Sequence, residues 1–252
     1  MAHLRTAGAS IVRRGTVSAL FLCLANLAYG TPGIAQSLTV TPVNIQLLPS
    51  QKTTTLTVIN TGKEETSVQF RTYAWTQPNG SDQLTSSRSM LVSPPIATIA
   101  PGETQIVRLV LKGTDKGQEE TYRILLDQIP PPAEQGVVHV VLRMSIPIFV
   151  QTKVRSKSHM QFHLERSATH ISLVAINEGT VHDAIHDLEL STAEGIKLQT
   201  NFKGSQYILG GVTRRWDVPV QSTLPGTVST LQLKAVSSTG PIEQQVRIVE
   251  VP

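Results

Sequence analysis

Residues Thr121–Val150 read TYRILLDQIPPPAEQGVVHVVLRMSIPIFV, two strand-like runs joined by a proline-rich loop. In the second run Val138, Val140, Leu142, Met144, Ile146 and Ile148 share one face of an extended strand, because strand side chains alternate with a period of two. The facing row, Val137, His139, Val141, Arg143, Ser145 and Pro147, is too mixed for full burial. Pro147 also lacks the N–H that an interior ladder demands, so the pattern predicts an edge strand from Val137 to Val150. An ordinary core strand of a β-sandwich has the same alternation, and the surrounding motifs decide between the two.

Working outward, short alternating segments recur between turn signals, and no window keeps a 3.6-residue apolar period beyond two turns. The predicted strands are Leu38–Val43, Thr53–Asn60, Thr66–Trp75, Thr104–Lys112, Thr121–Ile129 and Val137–Val150. Asn60-Thr61-Gly62, Pro78-Asn79-Gly80, Ala100-Pro101-Gly102 and Pro130-Pro131-Pro132 carry the turn chemistry between them. Six or seven short strands over about 110 residues argue for an immunoglobulin-like sandwich. Residues 151–158 turn polar and basic and read as a linker. Beyond it, His170–Asn177, Ala184–Ser191, Thr213–Val220, Thr230–Ala235 and Gln244–Val251 predict a second, smaller sandwich. The expected organisation is all-β: residues 1–35 a signal, 36–150 and 159–252 the two domains.

The signal is predicted from Arg5, Arg13 and Arg14, an apolar Val17–Ala28 run, and Gly33-Ile34-Ala35 as a small-residue cleavage site. The apolar run is too short for an ordinary membrane span, so export rather than membrane insertion is expected. Cys23, the only cysteine, leaves with the signal, and the mature chain must fold on hydrophobic burial without a disulfide. Removing three of the 22 basic and none of the 18 acidic residues leaves 19 against 18, a net charge of +1. That balance argues against nucleic-acid binding.

Catalytic signatures are missing: there is no phosphate loop, GxSxG elbow or Rossmann glycine fingerprint. His182 and His186 could share a metal only on a helix. Val181–Leu190 reads as turn then strand, where residues four apart lie roughly 13 Å from one another, so both are expected to be solvated. No metal, cofactor or catalytic residue is assigned. Aromatics make up only 4% of the chain, too few for a stacking platform. Trp75 and Trp216 are expected to be sandwich-core anchors or partly covered strand residues.

Taken in order, Ser93-Pro94-Pro95-Ile96-Ala97, Ala100-Pro101-Gly102-Glu103-Thr104-Gln105, Ile106-Val107-Arg108-Leu109, Tyr122-Arg123-Ile124-Leu125-Leu126-Asp127 and Ser145-Ile146-Pro147-Ile148-Phe149 resemble the periplasmic chaperones of the chaperone-usher pilus pathway. Asn177-Glu178-Gly179-Thr180-Val181-His182, Tyr207-Ile208-Leu209-Gly210-Gly211 and Arg214-Arg215-Trp216 resemble the second domain of its non-classical, archaic branch. The resemblance covers essentially the whole mature chain. It implies two immunoglobulin-like sandwiches in a boomerang, acting in the periplasm without a cofactor. It further implies pilus subunits and an outer-membrane usher as partners, the subunits being incomplete sandwiches completed by a donor strand.

On that resemblance Val138, Val140, Leu142 and Met144 are the donor row. The family's usual anchor for the subunit's terminal carboxylate is an arginine in the first strand and a lysine in the last. Asn44 and Pro147 stand at those positions here, so the anchor is expected among Arg123, Arg143 and Arg108, in that order, because a guanidinium offers a fork of donors that a carboxylate accepts in bidentate fashion. A long exposed edge also predicts self-association of the free chain. Two other classes compete. A secreted structural fimbrial subunit would be β-rich, but two sandwiches, an internal donor-like strand and the missing cysteine pair count against it. A periplasmic enzyme would need a convergent polar cluster that the sequence does not reveal.

Overall fold

In a computed structural model of the chain, residues 38–113, 117–132, 135–136, 139–152, 157–219 and 228–252 are described. The expected signal lies outside them, as does Val138. Ten strands precede residue 151: β1 (Leu38–Thr41), β2 (Ile45–Leu47), β3 (Thr53–Asn60), β4 (Thr66–Thr76), β5 (Gln83–Ser86), β6 (Met90–Ser93), β7 (Ile96–Ile99), β8 (Thr104–Leu111), β9 (Glu120–Ile129) and β10 (Arg143–Val150). They form a four-stranded sheet ordered β1-β3-β8-β6 and a six-stranded sheet ordered β2-β10-β9-β4-β5, with β7 also on β4.

The two sheets enclose one core. Leu56 and Val58 of β3 and Val107 and Leu109 of β8 meet Val68 and Phe70 of β4, Tyr122, Ile124 and Leu126 of β9, and Ile146 and Ile148 of β10. Each set follows the period-two rule, so the alternate residues point out. β5, β6 and β7, which the sequence reading did not separate, are four residues each and too short to display a period.

Eight more strands follow: β11 (Met160–Arg166), β12 (Ile171–Asn177), β13 (Asp183–Ser191), β14 (Lys197–Leu198), β15 (Gln206–Ile208), β16 (Thr213–Val218), β17 (Thr230–Ser237) and β18 (Gly240–Glu250). β18 pairs with β17 over Gly240–Arg247 and then with β11 over Ile248–Glu250. Leu164, Leu173, Ile185, Trp216, Leu231, Leu233 and Val246 fill this second core. Among the described residues no helix is long and apolar enough to cross a membrane.

Both sandwiches use the same buried corner. The Asn60 amide donates to the Ile99 and Glu64 carbonyls, its oxygen accepts from the Gly62 N–H, and its own carbonyl accepts from the Gly102 N–H. Asn177 repeats every contact with Ile208, Val181, Gly179 and Gly211. A turn in each domain is thereby tied to a neighbouring strand by one side chain. Asn177→Ala strands two carbonyls and the N–H groups of Gly179 and His159, and is expected to cost about 2–4 kcal/mol, read as a lower urea midpoint at unchanged m-value.

Candidate functional site

β10 decides what the first sandwich can bind. It pairs antiparallel with β9 along its whole length, from Arg143↔Asp127 to Val150↔Glu120. The Gln128 N–H donates to the Leu142 carbonyl, which sets the parity of the ladder: even-numbered residues of β10 turn their backbone groups toward β9, and odd-numbered ones turn theirs to the other side. On that other side β2 runs parallel only from Ile148↔Ile45 to Val150↔Leu47. The backbone of Arg143 and Ser145 therefore faces an edge that no described strand occupies, while the Pro147 carbonyl meets the first residue of β2. Pro147 breaks no ladder bond, since its missing N–H would have pointed to the open edge, as the edge-strand expectation requires.

The regular strand is shorter than expected. It starts at Arg143: β9 runs on to Ile129, but the Leu142 N–H donates to the Gln128 side-chain oxygen and not to the Gln128 carbonyl, so the regular ladder stops there. The upstream segment carries its apolar row into solvent: Val140 is 87% exposed and Leu142 36%. Met144 instead packs against the first core, continuing inward as Ile146, Ile148 and Val150. One row thus fills the first sandwich at its inner end and is bare at its outer end.

The outward row of the same sheet carries the charges. The Arg123 guanidinium sits 3.8 Å from the Trp75 ring centroid and 5.4 Å from that of Tyr207. Among the described residues its one hydrogen bond is a long one, 3.4 Å to the Ser145 carbonyl. Burial disfavours its charge and lowers its pKa, partly offset by Asp82, as expected of a guanidinium held on aromatic faces without a carboxylate in contact. Arg143 is already engaged, its Nε hydrogen-bonded to Asp127, which also takes Arg71 at 2.5 Å. Arg108 lies on β8 in the opposite sheet and does not join these groups.

The inner end of this outward face is roofed by the second sandwich. Trp75, Phe149 and Leu209 form a small apolar cluster with Tyr207 and Val212 packed on it. Gln77 holds the seam: its amide donates to the Tyr207 carbonyl at 2.9 Å and its oxygen accepts the Leu209 N–H at 2.9 Å, so one side chain stands in for a ladder step. Gly80, at φ +77°, passes so close to β16 that a Cβ would lie 2.6 Å from the Thr213 carbonyl oxygen.

Two expectations change at this seam. His182 is not solvated: its side chain is 12% exposed, stacked on Phe149 at 3.4 Å and bonded to Glu119 through both backbone N–H and ring. Spacing along the chain could not reveal a contact made between domains. Trp75 is buried but anchors the seam and not a sandwich core, whereas Trp216 does belong to the second core.

A cavity of about 510 Å³ opens beside the seam, lined in part by Gln77, Glu119, Glu120, Tyr122 and Leu209. Burial and the hydrogen bond to Glu120 push the Tyr122 hydroxyl well above its ordinary pKa, so it stays protonated and serves as a donor. Glu119 is taken by His182. Nothing in this lining pairs a nucleophile with a base. Among the described residues no group of three His, Cys, Asp or Glu could hold a metal ion.

Comparison with known proteins agrees with this architecture. Residues 37–153 match the family model for the pili and flagellar-assembly chaperones, PapD N-terminal domain. Residues 37–153 are thus an N-terminal domain of the pilus-assembly chaperone type. No curated protein sequence is significantly similar to it.

Among solved structures it is similar to a chain of the CsuC-CsuE chaperone-tip adhesion subunit pre-assembly complex from archaic chaperone-usher Csu pili of Acinetobacter baumannii, with 21% identity, a TM-score of 0.64, and coverage of 86% of this chain and 100% of that one. The E. coli chaperone DraB matches at 19% identity and TM-score 0.57, covering 86% and 97%. A chain of the Salmonella enterica SafA pilin–SafB chaperone complex matches at 14% and 0.58, covering 83% and 96%. These likenesses establish the two-sandwich fold.

The Arg71–Asp127–Arg143 cluster generates a pH prediction. Burial pushes the Asp127 carboxyl up, but the hydrogen bonds from Arg143 and Arg71 outweigh it and hold the group below the usual carboxylate range. Its contribution to stability is complete above the unfolded value of about 3.9 and is lost as pH falls from there through the folded value. Asp127→Asn should therefore be less stable than wild type at neutral pH, and the two urea midpoints should converge in strong acid.

Proposed function

We propose that this chain is a periplasmic chaperone of the archaic-like branch that binds pilus subunits by donor-strand complementation and delivers them to an outer-membrane usher. The observation that carries the reading is the exposed apolar pair Val140 and Leu142 on the run leading into β10, next to a backbone edge that β2 leaves open. An incomplete sandwich can pair its own edge with the odd-numbered backbone of β10 and receive Val138, Val140 and Leu142 in its groove. Burying each such side chain contributes about 1.5–3 kcal/mol before ordering costs. Met144 stays with the chaperone, because its side chain already packs against the first core.

Arg123 is the proposed anchor for the subunit's terminal carboxylate. It is half-buried and lies beside Pro147 in the β9–β10 register. Arg143 ranks below it because Asp127 already neutralises it, and Arg108 because it lies on the other sheet. Residues 1–35, as an export signal, supply the route to the periplasm.

Two experiments test this. Val140→Asp or Leu142→Asp puts a charge into an apolar groove and should abolish recovery of a co-expressed pilus subunit while the chaperone's own urea midpoint is unchanged. Wild-type recovery from either variant would show that the donor row lies elsewhere. Arg123→Ala should weaken the complex at least about tenfold and Arg123→Lys should restore only part of the loss, since a point charge cannot reproduce a fork. In a double-mutant cycle with an amidated subunit terminus, the two losses should not add; additive losses would move the anchor to Arg143 or Arg108.

A further inference from the structure

Arg123 does not stand alone. Trp75 lies beneath its guanidinium, and the indole is itself fixed, its N–H donating to Asp82 at 3.1 Å while the Gln77 amide donates to the same oxygen at 2.7 Å. Tyr207, from the second sandwich, stands edge-on to Trp75 with ring centroids 5.6 Å apart and an 89° interplanar angle. Its backbone carbonyl is held twice, by the Gln77 amide and by Arg214, each at 2.9 Å. Its phenol oxygen accepts from the Asn44 amide at 3.4 Å, which leaves the hydroxyl hydrogen free to donate. Asn44 falls one step beyond the Ile148↔Ile45 register, opposite Pro147, which itself pairs with Arg123. A guanidinium on β9, a phenol hydrogen on β15 and a side-chain amide in the turn before β2 thus converge at the inner end of the open edge.

We propose that the carboxylate site spans both sandwiches, with the Tyr207 hydroxyl donating to the bound carboxylate beside Arg123, and Trp75 and Asn44 as positioning residues. This rests on the reading of Arg123 as the anchor. The second sandwich then takes a direct part in recognition, and the Gln77 seam that pins Tyr207 also sets the distance between the two donors. A carboxylate has oxygens for both, whereas a terminal amide presents one oxygen and a nitrogen that cannot accept.

The test uses the full mature chain and a short alternating valine–serine peptide, prepared as the free acid and as the C-terminal amide. Side-chain resonances of Arg123 Nε–H and Trp75 Nε1–H are followed by NMR during titration. The free acid should shift both signals and bind about tenfold more tightly than the amide. Tyr207→Phe keeps the ring and its packing, and should lose about tenfold toward the acid and nothing toward the amide; Asn44→Ala should lose less, again only toward the acid. If Arg123 responds to the acid but Tyr207→Phe binds it like wild type, the two-domain site is overturned and the arginine anchor stands. If the acid leaves Arg123 unmoved, the anchor reading falls and this site with it. Equal losses toward acid and amide in Tyr207→Phe would mark Tyr207 as packing alone and also overturn the proposal.

Discussion

Everything this protein can do with a partner depends on β10 having two neighbours of unequal length. β9 runs beside all of it, while β2 covers only its last three residues. The parity of the antiparallel ladder then sends the odd-numbered N–H and C=O groups toward the uncovered side. A buried edge of this kind would be costly, and a long apolar one would invite aggregation. The chain meets both constraints with a proline that has no N–H to leave bare and an arginine whose charge is balanced on Asp127.

The even-numbered row of the same strand is divided by depth. Ile146, Ile148 and Val150 belong to the first core, Met144 sits at its rim, and Leu142 and Val140 lie beyond it. A single period-two pattern therefore serves two hydrophobic cores in turn, the chaperone's own and, on the proposed function, a subunit's. The rigidity of the inner end fixes the register of the outer end, since slipping by one residue would pull the apolar row out of the first core.

The outward face of the six-stranded sheet is likewise used twice. At its inner end Trp75 and Phe149 are covered by Leu209, Tyr207 and His182 from the second sandwich. Farther out, Arg123, Arg71, Asp127 and Arg143 stay at the surface. Arg123 lies at the boundary, desolvated by the aromatic rings on one side and open toward β10 on the other. The apolar seam and the polar clasp of Gln77 and Glu119 hold that boundary in one geometry, as a donor group must be held if it is to recognise a carboxylate by direction as well as by charge.

The sequence by itself determined the all-β class, the long strands and the alternation that separates core from surface. Turn chemistry and a period of two are local properties of the chain; Thr53–Asn60, for example, is the same in the sequence reading and in the structure. It also singled out the row from Val138, Pro147 as an edge residue and Arg123 beside it, all from composition along one strand pair and the family resemblance. The tertiary structure alone decided which groups meet across domains. His182 on Phe149, Tyr207 on Asn44 and Gln77 on Leu209 join the two sandwiches, and Trp75 under Arg123 joins β4 to β9, every pair far apart in sequence. It also decided where β10 begins, because the Gln128 side chain takes the Leu142 N–H that would otherwise continue the ladder, a contact that no pattern within residues 137–150 contains.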